Sequence, residues 1–344
     1  MRVRERLGTL AIIFLTALSL LFTHLYIAFY SPVSPNADNT VTFNIQKGTG
    51  FRVVASNLRD AGVIRDPESF IFIASILGAY KKVKAGEYEL SGAMTPMEVL
   101  DSLVKGKVKR HLVTIPEGYN LQDIASALER EGLADRDEFL SRATDSSFVR
   151  AVGVEGPTFE GYLFPDTYAF TRGMAVDEII TKMAERFKSV YFSEFEAEAT
   201  KKGVGMRKLV TFASIIEKET GAPGERGLVS AVFHNRLKKG IKLQSDPTVI
   251  YGVKDFDGNI SKRHLAAKSP YNTYVIYGLP AGPIASPGRA SLRAVLNPDE
   301  SDALYFVSRN DGTHHFSNKL SDHNRAVNRY QRHMKSSGQA MNKG

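Results

Sequence analysis

No Asp, Glu, Lys or Arg interrupts residues 7–30, and most of those positions are apolar. A span of 24 residues exceeds the roughly 20 apolar residues that cross a bilayer as a helix. Arg2, Arg4 and Arg6 lie on its N-terminal side. That asymmetry predicts residues 1–6 in the cytoplasm, one transmembrane helix over 7–30, and everything later outside. Tyr26, Phe29 and Tyr30 would mark the outer interface. The rival reading is a cleaved signal peptide, whose apolar region usually spans about 7–15 residues. This stretch is longer and has no small-x-small cleavage site, which favours an uncleaved anchor. A linker with two prolines fills 31–40.

Two alternating segments then recur 70 residues apart, so that Gly48 corresponds to Gly118 and Gly62 to Gly132. The copies are FNIQKGTGFRVVASNLRDAGVI, beginning at Phe43, and VTIPEGYNLQDIASALEREGLA, beginning at Val113. Each pairs a period of two, then a glycine turn, then apolar positions at three- and four-residue steps: strand, turn, amphipathic helix, stop. Between them, 84–90 predicts a strand and 94–104 a short helix capped by Thr95. Helices follow at 137–152, 176–191 and 194–202, with FEGYLFPDTY (159–168) opening a new region after the first of them. Glu160 in that block could support catalysis or form an ion pair. Near the end come a short strand at 303–307, a helix at 321–334 and a polar tail at 335–344.

The segment 210–252 carries the candidate chemistry. Leu209, Phe212, Ala213 and Ile216 make a helical apolar stripe, and Glu217 sits at its edge. Lys218 and Glu219 point about 100° and 200° further round. A carboxylate at the seam between core and cleft can be desolvated enough to act as a general acid. Gly221–Gly224 breaks the helix, 225–239 predicts another with Val229, Val232, Phe233 and Leu237 inward, and Gly240 caps it. Loops rich in Pro and Gly follow, carrying Asn, Gln, Tyr and Thr, which suits a neutral polyhydroxylated ligand such as a sugar.

Composition narrows the partners. A net charge of +8 and a pI near 9.4 fit nucleic acid, an anionic polymer or a membrane surface. The basic residues are scattered and match no nucleic-acid motif, so nucleic acid is set aside. The absence of cysteine excludes disulfides, thiolate metal sites and a cysteine nucleophile. His314 and His315 have no further ligand at metal spacing in the sequence, and no metal or cofactor is expected. His264 reads as a surface histidine.

Four blocks in order, ASIIEKET (213–220), LQSDPTVIYG (243–252), SPYNTY (269–274) and GLPAGPIASPG (278–288), closely resemble the endolytic murein transglycosylases, the YceG-like family. The resemblance runs from the anchor to near the C-terminus. It implies an α+β chain: one N-terminal transmembrane helix, LysM-like repeated βα modules over 41–150, and a mixed α/β catalytic domain over 151–334. The modules could bind glycan or be purely structural. The implied activity is an endolytic cut at the β-1,4 bond between N-acetylmuramic acid and N-acetylglucosamine. It leaves 1,6-anhydro ends and ends strand elongation, at the periplasmic face of the inner membrane, with a penicillin-binding synthase as partner.

The same resemblance selects Glu217 as the single catalytic acid and base and leaves Glu219 structural. Glu225 and Asp246 are the candidates for a supporting carboxylate, although Glu225 also fits a helix N-terminal acid. Asn235, Gln244, Tyr271, Asn272 and Thr273 are the expected substrate contacts. Two other functions fit the residues: a noncatalytic peptidoglycan-binding anchor that recruits synthases, and a glycoside hydrolase that uses Asp246 or Glu225 to activate water.

Overall fold

A computed structural model describes residues 2–36, 39–253 and 256–332; the expected polar tail at 335–344 lies outside them. The chain divides into two compact units, one of residues 1–111 with 169–174, the other of 112–168 with 175–344.

The first unit starts with helix α1 (Arg2–Tyr30). Strand β1 (Thr40–Ile45) pairs antiparallel with β2 (Gly86–Ser91), in a register that sets Phe43 opposite Tyr88. Between them lie α2 (Phe51–Asp60) and α3 (Pro67–Ile76), and α4 (Pro96–Lys105) follows β2. Pro96 and the reciprocal Thr95–Glu98 capping box start α4 at the predicted cap, and left-handed Gly106 stops it. Alternation on β1 sends Phe43 and Ile45 into a core with Val54, Leu58, Phe70, Ile73, Tyr88, Leu90 and Leu103. Ala28 and Phe29, from the last turns of α1, pack against that core.

Strand β3 (His111–Ile115) opens the second copy of the repeat. Its helix α5 (Leu121–Arg130) begins and ends 70 residues after α2, so the sequence repeat is a structural one. Gly48 and Gly118 both turn with positive φ, at 87° and 80°. Helices α6 (Arg136–Ala143) and α7 (Ser146–Val152) follow, then β4 (Asp166–Phe170), which pairs with β3. The second copy therefore belongs with the later part of the chain.

That part is mainly helical: α8 (Val176–Val190), α9 (Glu196–Lys201), α10 (Met206–Glu219), α11 (Arg226–Lys238), α12 (Asp246–Tyr251), α13 (Lys262–Ala266) and α14 (Arg289–Leu296). A π-helical turn over Tyr191–Phe195 joins α8 to α9 where two separate helices were expected. Leu209, Phe212, Ala213 and Ile216 of α10 are all buried, as the stripe predicts. The expected strand at 303–307 forms as β5 (Tyr305–Ser308), paired antiparallel with β6 (His314–Ser317), and α15 (Leu320–Val327) follows.

Candidate active site

Helix α10 ends on two carboxylates that face different surroundings. Glu217 is enclosed, its side chain only 4% exposed. Its Oε1 accepts from Arg226 Nη2 at 3.1 Å and its Oε2 from the Gly288 backbone N–H at 2.9 Å. Glu117, in the turn of the second βα copy, approaches the same guanidinium at 3.8 Å. Desolvation, and then the negative charge of Glu217, push the Glu117 carboxyl above the usual range. Lys218 Nζ donates to the Gly118 carbonyl, and residues 118–119 exchange backbone hydrogen bonds with Ser286. Glu217 and Lys218 thus tie the end of α10 to α11, to the loop before α14 and to the turn at Gly118. Both oxygens of Glu217 are held, one by the Arg226 guanidinium and one by the Gly288 amide.

Glu219 points the other way, as the 200° step requires. It is half-buried and lines a cavity of about 370 Å³ together with Arg236, Gln244, Asp246, Tyr274 and His323. Desolvation, with the charge of Asp246 added, pushes its carboxyl up to about 7. Ser245 Oγ donates to it at 2.5 Å and opposes the rise. The helix ends here because Thr220 leaves helical geometry (φ −138°, ψ 129°), and the chain turns away from the cavity. An acid that is half protonated near neutral pH, open to a polar cavity, can give a proton and take one back.

The other lining residues are held by one another and by the fold. Asp246 Oδ1 accepts from Tyr274 Oη at 2.6 Å. Arg236 is spent on the fold: its Nε donates to the Leu304 carbonyl at 2.6 Å, its Nη1 to that of Leu243 at 2.8 Å, and it stacks on Tyr305. His323 also stacks on Tyr305, and its buried Nδ1 has no partner among the described residues. Burial, with Arg236 and His315 nearby, lowers the His323 pKa, so it stays neutral near pH 7. Gln244 holds an uncommon left-handed backbone (φ 50°), which leaves its exposed side chain at the rim.

The YceG-like family model matches residues 43–329. The chain belongs to the YceG-like family. It is 33% identical over 315 residues to the endolytic murein transglycosylase of Bacillus subtilis, covering 87% of each. It is 30% identical over 332 residues to the endolytic murein transglycosylase of Streptococcus pneumoniae strain R6. That stretch is 86% of this chain but 59% of the longer pneumococcal protein. A crystal structure of a yceG-like protein of Listeria monocytogenes superposes with a TM-score of 0.58 at 32% identity, over 84% of this chain and 99% of that one.

The remaining expected site residues separate. Asp246 joins the Glu219 cavity, not Glu217. Glu225 lies elsewhere: its two oxygens accept from the His314 backbone N–H at 2.8 Å and meet His314 Nδ1 at 2.6 Å, bracing the β5–β6 hairpin. His314 therefore has the neighbouring carboxylate that the sequence did not reveal. Asn235 donates to the Ser301 and Ala303 carbonyls, and buried Asn272 to those of His264, Leu265 and Ala267. Thr273 is buried against Ser245 and Thr248. These three build the loops rather than the cavity wall, because buried backbone carbonyls need donors. Tyr271 packs on Tyr251, beside buried Glu160. Glu160 accepts from Tyr251 Oη at 3.0 Å, and burial raises it to about 7. Glu117, Tyr274 and His323 were missed. SPYNTY contained Tyr274 and IPEGYN contained Glu117, but nothing in either block marked them out.

Proposed function

We propose that this chain is a membrane-anchored peptidoglycan lytic transglycosylase in which Glu219 is the acid and base. The observation that carries the reading is a carboxyl with a pKa raised to about 7 at a polar cavity beside a second carboxylate. The names of the Bacillus and Streptococcus relatives supply the substrate class.

In this reaction protonated Glu219 gives its proton to the glycosidic oxygen as that oxygen's bond to C1 of N-acetylmuramic acid breaks. The N-acetylglucosamine portion leaves as a free alcohol. Glu219, now a carboxylate, takes the proton of the C6 hydroxyl while O6 bonds to C1. The sugar ends as a 1,6-anhydro ring, and Glu219 regains its proton for the next cycle. Asp246, oriented by Tyr274, offers negative charge to the developing oxocarbenium centre. Anchoring by α1 with the N-terminus cytoplasmic, glycan binding by the βα copies, and a synthase partner complete the proposal.

Hydrolysis is the competing reading, because Asp246 could instead activate water. Mass spectrometry of muropeptides released from purified sacculi separates the two: anhydro ends support transglycosylation, and ends one water heavier overturn it. Full complementation of a deletion strain by the Glu217→Gln, Glu219→Gln double variant would leave only the noncatalytic anchor.

A further inference from the structure

Helix α3 and the turn after it carry an apolar face that the described residues leave about half exposed. Phe72 is 52% exposed, Ile76 61%, Leu77 47% and Tyr80 47%. The other side of the same helix buries Phe70, Ile73 and Ala74. The helix is thus apolar nearly all round, which in a globular unit signals a second apolar environment. Its end is sharply built. Left-handed Gly78 (φ 57°) and the bonds Gly78 N–H to Ser75 O and Ala79 N–H to Ala74 O turn the chain back, with Ala79 buried and Leu77 and Tyr80 outside. Exposed Lys81 and Lys82 come next, and Lys81 Nζ lies 5.6 Å from the Tyr80 ring.

The position of this face relative to α1 identifies its occupant. Ser69, Phe72 and Ile76 share one side of α3, three and four residues apart. Ser69 lines a small cavity with His24, Ile27 and Ala28 of α1 and with Ser31 just after it, so the stripe begins at the anchor. Counted from Leu7, about 20 residues fill the hydrocarbon layer, which brings its outer edge close to Tyr26. The start of α3 therefore meets α1 at headgroup depth. Aromatic and aliphatic side chains flanked by lysines suit that layer, where rings sit at the interface and lysines reach anionic phosphates.

We propose that the Phe72, Ile76, Leu77 and Tyr80 face, with Lys81 and Lys82, is a second membrane contact that rests on the anionic surface of the bilayer spanned by α1. It rests on the reading of α1 as a transmembrane anchor. Two attachments, one through the bilayer and one on it, hold the first βα copy at a fixed height above the lipid.

The chain has no cysteine, so one introduced thiol is a unique label. The full-length Ile76→Cys protein, labelled with bimane and reconstituted in phosphatidylglycerol and phosphatidylethanolamine vesicles, should lose most of its fluorescence to a lipid nitroxide near the headgroup. Aqueous iodide should quench it little. Adding Lys81→Glu and Lys82→Glu should restore iodide access. Ile13→Cys, in the middle of α1, tests the anchor separately: no quenching by deep nitroxides there overturns the anchor reading itself. If Ile13→Cys is quenched while iodide reaches Ile76→Cys freely, the surface contact alone is overturned. Protection of Ile76→Cys from both quenchers means that another copy of the chain covers the face, which also overturns it.

Discussion

Replacing each carboxylate of α10 by its amide distinguishes a proton donor from a structural brace. Glu219→Gln keeps the shape and an acceptor for Ser245 but removes the proton. Loss of a positioned general acid typically costs about 10²–10⁴-fold in rate. Its stability should change little at acid pH and rise at alkaline pH, because the amide removes a carboxyl that the fold holds above its ordinary 4.5. Glu217→Gln should do the reverse. Arg226, whose side chain is 13% exposed, would lose its closest charge partner. Breaking a buried pair from one side costs about 3 kcal/mol or more. For a unit of this size, about 3 kcal/mol lowers Tm by roughly 6–12 °C. Below its Tm, Glu217→Gln should still release anhydromuropeptides. The assay is sacculus digestion at low temperature with chromatographic counting of anhydro ends, normalised to the folded fraction from circular dichroism. If Glu219→Gln digests at the wild-type rate, or Glu217→Gln is inactive with an unchanged Tm, the assignment of the two carboxylates is wrong.

The pH profile follows from the same group: with the acid near 7 rather than 4.5, the protonated form at pH 7 is about 160-fold more abundant. Turnover should therefore fall as pH rises through 7, and Asp246→Asn should move that limb to lower pH; a limb that stays put refutes the coupling. Glu160→Gln tests a buried acid outside the cavity. Because its folded pKa is raised from 4.5 to about 7, Glu160 stabilises the fold below 4.5, and that contribution is lost as pH rises through 7. The amide should thus raise stability by up to about 3 kcal/mol at pH 8 and little at pH 4, read by thermal unfolding at both. Gly288→Ala should destabilise by about 1–3 kcal/mol through overpacking. A Cβ there would stand 1.7 Å from Glu117 Oε1, although the backbone (φ −80°) accepts alanine. Glu117→Ala in the same chain should recover most of the loss, and failure to do so would mean that the turn is not what crowds Gly288.

Periodicity made the helices and the repeat legible. The stripe of α10, the 70-residue offset of α2 and α5 and the Gly240 cap could all be read along the chain, because they depend on neighbours within one or two turns. The partner of each polar side chain could not. Glu217 meets Gly288 across 71 residues and Arg226 across nine, Glu225 meets His314 across 89, and Asn235 serves carbonyls 66 and 68 residues away. The blocks selected Glu217 of the two carboxylates at one helix end. The surroundings of each, Arg226 and Gly288 for Glu217 and the Ser245–Asp246 cavity for Glu219, come from residues whose approach spacing does not encode. Family blocks also drew Asn272 and Thr273 into the expected cleft, where they turn out to hold loop carbonyls and hydroxyls in register.

The two βα copies have different freedom to change. The first closes on its own core, so that its helices answer mainly to one another. The second has surrendered that independence: its turn is fastened through Glu117, Gly118 and Tyr119 to the start of α11, the end of α10 and the loop before α14. An engineer could trade the first copy for a related module and ask only that it fold. The same exchange in the second would disturb the end of α10, so a duplication that began as two equal pieces now behaves as one removable part and one fixture.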